Sequence, residues 1–158
     1  MTINCKGQLI DLTSPKVMGI INITPDSFYD GGLYNSEKEV LLQVEKMQNE
    51  GATFIDVGAY SSRPNARHIN EDEELKRILP IVDLILKAFP KSLLSIDTFR
   101  SSVAKQCIEA GVCMINDISA GQLDENMMAT IADLNVPYVM MHLRSEEHTS
   151  ELQSHLNL

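Results

Sequence analysis

Five polar residues each follow a short apolar run, and their types suit acid–base chemistry, metal binding or recognition of polar ligands. They are Asn22 after Met18–Ile21, Asp56 after Phe54–Ile55, Asp97 after Leu93–Ile96, Asn116 after Met114–Ile115 and His142 after Tyr138–Met141. Carboxylates and imidazoles transfer protons, and amides both donate and accept hydrogen bonds. In a parallel barrel, strand ends of one sense meet at one face, which carries the active site. The spacing therefore predicts one site assembled from residues far apart in sequence.

The segments between those apolar runs have the periodicity of amphipathic helices. The first carries Val40, Leu41, Val44 and Met47 at helical intervals and ends near Gly51, which suits a left-handed C-cap. Further helices are predicted from Glu71 to about Pro90 with a kink or break at Pro80, over Ser101–Ala110, and over about Asp124–Leu134. Residues 1–15 fit a short hairpin or cap. Strands that alternate with helices through right-handed crossovers form a parallel sheet, so the predicted fold class is α/β.

The composition is that of a globular protein and narrows the classes of partner. The 158 residues are 44% hydrophobic, and the net charge of -9 argues against nucleic acid or an anionic membrane as the partner. No apolar run approaches the roughly 20 residues of a membrane span, and the start lacks the pattern of a secretory signal. The three cysteines, Cys5, Cys107 and Cys113, are odd in number and lack CxxC spacing, and the apolar surroundings of Cys107 and Cys113 favour reduced core thiols. We therefore expect a cytoplasmic protein without a nucleic-acid or membrane partner.

Two long loops follow the first and second strands and add further candidates. The first, TPDSFYDGG, contains Asp26 and Ser27, which form turns readily, and the second, GAYSSRPNARHIN, contains Arg63. Each loop taken alone is compatible with a solvated surface turn. Loops of this length in a compact α/β domain are more often functional or act as lids. The planar guanidinium of Arg63 suits the pairing of an anionic group.

These segments resemble the dihydropteroate synthase family. The resemblance rests on NITPDSF followed by DGG, on SSRP, on Asp97-Thr98 and on Asn116-Asp117-Ile118, in the family's order over about residues 17–143. It implies a parallel (β/α) barrel of TIM type, truncated here to about five of eight βα units. It also implies a transferase of folate biosynthesis, which joins para-aminobenzoate to dihydropterin pyrophosphate and yields dihydropteroate and pyrophosphate.

The resemblance gives roles to both loops and to the first strand end. Asn22 matches the residue that helps to hold Mg2+ and pyrophosphate, so it is the expected metal ligand and Mg2+ the expected cofactor. Asp26, Ser27 and Phe28 match a mobile loop that closes over the reacting groups, which implies a catalytic role. For Asp26, electrostatic stabilisation of a cationic pterin-methyl species and a local Asx turn stay open as alternatives. The para-aminobenzoate loop, where sulfonamide resistance concentrates, matches Ser61, Ser62 (Thr in most of the family), Arg63 and Pro64, and Arg63 is also counted as catalytic.

The remaining matches concern the pterin ring. Asp97 corresponds to a carboxylate that hydrogen-bonds the ring, because a buried carboxylate needs donors and a pterin supplies them. Asn116 suits the same ring edge. Asp56 either faces the pterin or holds neighbouring loops, and His142 either orients an anion or is an ordinary barrel histidine. Apolar walls are expected from Ile118 and Met140, whereas Asp117 is expected to face away and serve structure.

The last stretch departs from the strand–helix rhythm. We divide the chain into residues 1–143, the N-terminal part of a pterin-binding barrel, and residues 144–158, a tail that resembles translated sequencing adapter. The chain alone is expected to be inactive, and the parent protein is expected to be a homodimer that binds only small-molecule substrates. Two alternatives stay open: a pterin-binding methyltransferase domain of the methyltetrahydrofolate–corrinoid type, and a non-functional fragment. The SSRP and PDSF-DGG segments favour the synthase.

Overall fold

Seven strands and four helices alternate along the chain in a computed structural model that describes residues 1–23, 33–59 and 69–141, without the side chains of residues 33–36. In order, they are β1 (Thr2–Cys5), β2 (Gln8–Asp11), β3 (Val17–Asn22), α1 (Leu33–Asn49), β4 (Ala52–Gly58), α2 (Glu71–Ala88), β5 (Leu93–Asp97), α3 (Ser101–Glu109), β6 (Met114–Asp117), α4 (Met127–Leu134) and β7 (Tyr138–Met140). This order confirms the predicted α/β class and the predicted N-terminal hairpin.

Strands β3 to β7 form one parallel sheet in sequence order, and β1 pairs with β2 as a separate antiparallel hairpin. Each crossover between neighbouring strands of this sheet contains a helix, which is the usual connection between parallel strands. These five strands and the four helices between them have the architecture of consecutive units of a parallel α/β barrel. The carboxyl ends of all five strands consequently lie along one edge of the sheet.

The two sides of the sheet are covered by different elements. On the helix-facing side, Ile55, Val57, Leu94, Ile96 and Ile115 are buried in one core with the apolar stripes of the helices. On the other side, which we call the inner side, Phe54, Leu93 and Met114 pack with Cys5 and Ile10 of the hairpin. The hairpin therefore closes the amino-terminal end of the inner side, and the carboxyl-terminal end is left for polar side chains.

The break predicted as one alternative at Pro80 does not occur. Helix α2 runs through Pro80 without a break, because Pro80 is exposed while Ile78, Ile81 and Val82 around it are buried against the sheet. The Lys76 carbonyl that loses its partner at Pro80 belongs to an exposed residue, so water can satisfy it.

Helix α4 begins at Met127 rather than near Asp124. The Asp124 carboxylate instead accepts hydrogen bonds from the backbone N–H of Ser101 at 2.7 Å and of Asn126 at 2.9 Å, so it caps the preceding helix α3.

Cys5, Cys107 and Cys113 are buried free thiols, as expected. Burial raises the pKa of Cys107 and of Cys113 to about 12, and the thiols are therefore uncharged. Within the described ranges, no helix is both long and apolar enough to cross a membrane.

Candidate functional site

One row of residues crosses the carboxyl-terminal end of the sheet. Asn22 lies in register with Gly58, Gly58 with Asp97, Asp97 with Asn116, and Asn116 with Val139. Residues in register on parallel strands point to the same side of a sheet. We call these five positions the top row; it brings together Asn22, Asp97 and Asn116, which the sequence proposed for one site.

Gly58 creates a slot in the top row between two oxygen atoms. A Cβ atom at Gly58 would lie 3.4 Å from Asp97 Oδ2 and 3.5 Å from Asn22 Oδ1. The space that any other side chain would occupy is thus bordered by a carboxylate on one strand and an amide oxygen on another. Sequence reasoning missed Gly58, although a glycine at a strand end can indicate a close approach by a ligand.

Asp56 lies one step deeper on the inner side and holds Asn116 in place. The Asn116 Nδ2 group donates to Asp56 Oδ2 at 2.9 Å, and Asp56 is only 1% exposed. Burial raises the pKa of Asp56, while the Ser95 hydroxyl and the Asn116 amide offset part of that shift. Asp56 Oδ1 and Ser95 Oγ nevertheless make no hydrogen bond of good geometry within the described part of the chain. Because its amide nitrogen is engaged, Asn116 presents its Oδ1 as an acceptor.

Asp97 is the carboxyl group of the top row, and its pKa is strongly raised. Burial, followed by the negative charges of Asp56, Glu74 and Asp117, raises its pKa from 3.8 to about 7. Across the described ranges, no side chain or backbone group donates a hydrogen bond to its carboxyl group. A ligand with N–H donors would supply the missing bonds and favour the ionised form. The top row is therefore suited to the polar edge of a flat, nitrogen-rich ring.

Behind the top row lies a buried ion pair that the sequence did not reveal. Glu74 of α2 is fully buried and pairs with Arg100, which follows β5. Thr98, next to Asp97, donates to Glu74 Oε1 at 2.7 Å. Glu74 belongs to the run EDEEL, which by sequence alone resembles the acidic first turn of a helix.

Asp117 faces the helix-facing side, as predicted. Its carboxylate accepts hydrogen bonds from the Ser119 N–H and hydroxyl, from the Gly121 N–H and from the Tyr138 hydroxyl, at distances between 2.6 and 2.8 Å. These bonds tie the loop after β6 to strand β7. Asp117 is therefore a structural residue of that loop.

The two predicted apolar walls are placed differently from each other. Ile118 is half-buried immediately after β6, next to the top row in sequence. Met140 is 56% exposed and lies in register with Asp117, so it belongs to the helix-facing side and not to the top row. The corresponding top-row position is Val139. A shift of one residue along β7 reverses the side to which a residue points, and this explains the difference.

Several predicted site residues lie outside the described residues. They are Asp26, Ser27 and Phe28 of the first loop, Ser61, Ser62, Arg63 and Pro64 of the second, and His142. The proposed tail 144–158 lies outside them as well. Among the residues that the structure describes, no group of three or more His, Cys, Asp or Glu side chains forms a metal-binding cluster.

Known proteins are similar to this chain in both sequence and fold. The model of the family described as pterin binding enzyme matches residues 18–157. A protein named dihydropteroate synthase from Bacillus subtilis is 43% identical over 136 residues, which is 86% of this chain and 47% of that protein. Among solved structures, the 7,8-dihydropteroate synthase of Vibrio fischeri has 34% identity and a TM-score of 0.79, covering 99% of this chain and 61% of the other. The dihydropteroate synthase of Xanthomonas albilineans has 34% identity and a TM-score of 0.80, with coverages of 99% and 58%.

The match covers most of this chain but only part of each relative. The chain spans between 17% and 54% of the length of seven curated relatives, and about three-fifths of the two solved structures named above. The matched part nonetheless includes every strand of the parallel sheet except the first residue of β3. Sequence and fold agree, and the chain belongs to the pterin-binding enzyme family.

Proposed function

We propose that this chain is the pterin-binding part of a dihydropteroate synthase. The observation that carries the proposal is the top row, in which Asp97 and Asn116 present two acceptor groups side by side. A dihydropterin offers ring N–H and amino donors along one edge, which match those acceptors. Asp56 acts through Asn116, because it fixes the amide in the orientation that leaves Oδ1 for the ligand.

The reaction that follows from this proposal is a substitution at the methylene carbon attached to the pterin. The amine nitrogen of para-aminobenzoate forms a bond to that carbon, and the bond from the carbon to the pyrophosphate oxygen breaks. The electron pair leaves with pyrophosphate, and the amine loses one proton. The described residues contribute by holding the ring. Asp97 and Asn116 fix its orientation, and this positions the methylene carbon for attack by the amine and for loss of pyrophosphate.

The second substrate is proposed from the relatives. The Xanthomonas albilineans protein was solved with 4-aminobenzoic acid and again with 7,8-dihydropteroate, and the Yersinia pestis protein with a sulfonamide drug. We assign the same substrate class to this chain and expect sulfonamides to compete for it. The contacts are proposed to come from Ser61, Ser62, Arg63 and Pro64, with Asp26, Ser27 and Phe28 closing over the reacting groups.

A magnesium ion fits the donor set at the first strand end. Asn22 is exposed, and its Oδ1 is a hard oxygen ligand beside the slot at Gly58. Mg2+ commonly takes one or two protein oxygens and completes its coordination with water and substrate phosphate. Asn22 would hold the ion through Oδ1, and the bound ion would neutralise charge on the departing pyrophosphate.

A methyltransferase of the methyltetrahydrofolate–corrinoid type is the second candidate, because it would also bind a pterin through acidic and amide groups. The SSRP and PDSF-DGG segments and the names of the relatives favour the synthase. A non-functional fragment is the third reading. The homodimer and the cytoplasmic location stay proposals, and two plant relatives are named as mitochondrial. Sedimentation and cell fractionation test these two points.

The decisive test uses a complete barrel, in which residues 1–141 are joined to the C-terminal part of the Bacillus subtilis relative that this chain does not match. With dihydropterin pyrophosphate, para-aminobenzoate and Mg2+, we expect dihydropteroate to form. Asp97→Asn should lower kcat/KM at least about tenfold, because a neutral amide replaces the charged acceptor. Asp133→Asn, on the exposed surface of α4, is the matched control. Methyl transfer from methyltetrahydrofolate to a corrinoid, without dihydropteroate, would overturn the proposal.

A further inference from the structure

A continuous set of hydrogen bonds joins the residue after Asp97 to the start of helix α2. The Thr98 hydroxyl donates to Glu74 Oε1 at 2.7 Å and accepts from the Arg100 N–H at 3.2 Å. The Arg100 guanidinium donates through Nη1 to Glu74 Oε2 and through Nη2 to the Ile69 carbonyl at 2.7 Å. We call Glu74, Thr98, Arg100 and Ile69 the clamp. Its members come from two crossovers that are separate in sequence.

The two ends of the clamp lie at functionally important places. At one end, Thr98 directly follows Asp97 of the top row, and its N–H donates to the Asn116 carbonyl at 3.0 Å. At the other end, Ile69 is the first described residue after the loop that contains Ser61–Pro64. Ile69 is buried, and Asn70 next to it caps α2 by accepting from the Glu73 N–H at 2.9 Å. One buried pair therefore fixes a strand end and a loop end together.

A buried ion pair of this kind is not explained by stability alone. Moving two charges out of water is unfavourable, and an apolar pair of similar size is often as stable. The geometry of such a pair is, however, well defined, because a guanidinium donates in fixed directions. Arg100 uses those directions to reach Glu74 and Ile69, and it also lies over the Phe99 ring, 4.8 Å from its centroid.

We propose that Glu74 and Arg100 are positioning residues, which hold the Asp97 carboxyl group in the arrangement that binds the pterin and fix Ile69 near the end of the second loop. Neither residue touches the ligand. They act through Thr98 and through the Ile69 carbonyl. This inference rests on the proposed function insofar as Asp97 is taken to bind the pterin.

The clamp also places charge near Asp97. The negative charges of Asp56 on β4, Glu74 on α2 and Asp117 on β6 all raise the pKa of Asp97. Arg100 is the cation paired with Glu74. Removal of Glu74's charge should lower the pKa of Asp97, whereas removal of Arg100's charge should raise it. Opposite shifts show that both charges of the pair act on Asp97, and Thr98→Val, which changes no charge, tests whether the geometry of the clamp matters for binding.

The experiment compares Glu74→Gln, Arg100→Met and the double variant in the full 158-residue chain, with Thr98→Val as the matched control without a charge change. The pKa of Asp97 is measured by carboxyl-carbon NMR without ligand. We expect it to fall by about one unit in Glu74→Gln, to rise by about one unit in Arg100→Met, and to return towards the wild-type value in the double variant. Thr98→Val should leave it unchanged.

The same variants are then titrated with dihydropterin pyrophosphate above pH 8.5. Affinity should fall about three- to tenfold in both single variants and in Thr98→Val, because each breaks the clamp. If the single variants shift the pKa of Asp97 in the same direction or not at all, the inference is wrong. It is also wrong if the wild-type chain binds the pterin and the variants bind it with the same affinity. If the wild-type chain alone does not bind the pterin, the same affinity comparison is made in the complete barrel described above, and an unchanged affinity there overturns the inference. Failure of that barrel to form dihydropteroate contradicts the proposed function instead. Should Glu74→Gln fail to fold, the double variant and Arg100→Met decide it.

Discussion

Replacing Asp97 with Asn should make the chain more stable at pH 8 while it weakens ligand binding. The pKa of Asp97 is about 7 in the folded chain against 3.8 for an unperturbed carboxyl group. Ionisation of the folded chain is thus less favourable than ionisation of the unfolded chain. Each pKa unit corresponds to about 1.36 kcal/mol, so the ionised carboxylate destabilises the folded state by about 4 kcal/mol above pH 7.

The pH dependence gives this prediction its sign. Below about pH 4 both states carry a protonated Asp97, and the group contributes nothing. As the pH rises from 4 to 7, the unfolded state ionises first, so stability is progressively lost. An Asn at this position does not ionise. Its advantage should therefore be about 1.5 kcal/mol at pH 5 and grow to about 4 kcal/mol at pH 8.

The measurement is urea unfolding of the 158-residue chain, followed by circular dichroism at pH 5 and pH 8. Asp133→Asn, which alters an exposed carboxyl group of α4, should show no such dependence on pH. The reasoning is refuted if Asp97→Asn is no more stable than the wild type at pH 8. An equal gain at both pH values would also refute it, because the effect would then not come from ionisation.

Three further predictions follow from the same geometry. Gly58→Ala should change the free energy of unfolding by less than about 1 kcal/mol, since the added Cβ meets only ordinary van der Waals contacts. It should nevertheless reduce pterin affinity, because the methyl group fills the slot. Equal affinity of the variant and the wild type in calorimetry would contradict this. Asp117→Ala should lower the free energy of unfolding by about 3–5 kcal/mol, since four donors lose their acceptor. Tyr138→Phe, which removes one of these bonds, should lower the free energy of unfolding by about 1–2 kcal/mol. Equal losses for Asp117→Ala and Tyr138→Phe in urea unfolding would argue against the network. The thiols of Cys107 and Cys113, with pKa values of about 12, should react with a disulfide reagent only as fast as the chain unfolds, and rapid labelling of the folded chain would be inconsistent with their burial.

The sequence was sufficient to predict the order of elements because each strand and helix is marked by its own periodicity. It also placed Asn22, Asp97 and Asn116 together, since all three end consecutive parallel strands. The placement of Met140 on the helix-facing side was not evident from the sequence, because β7 has three residues and hydrogen-bond register rather than composition decides which of them point inward. Register depends on the neighbouring strand, so a single segment does not contain that information.

The clamp was missed for a different reason. Glu74 and Arg100 are separated by 26 residues and lie in segments that, read separately, look like a solvated helix start and a strand-to-helix turn. Only the packing of α2 against the β5–α3 crossover brings them together, and burial of Glu74 follows from that packing. Gly58 was missed because the meaning of a glycine depends on which side chains stand on either side of it.

The N-terminal hairpin has a consequence for the order in which the chain folds. Its docking surface is made of Phe54, Leu93 and Met114, and its Lys6 side chain donates to the Gly111 carbonyl, 105 residues away. The hairpin therefore gains these contacts only after β6 has been synthesised. Closing so long a segment is slow compared with forming local helices. Hairpin docking should accordingly be a late step of folding, because it requires that β4, β5 and β6 have already paired.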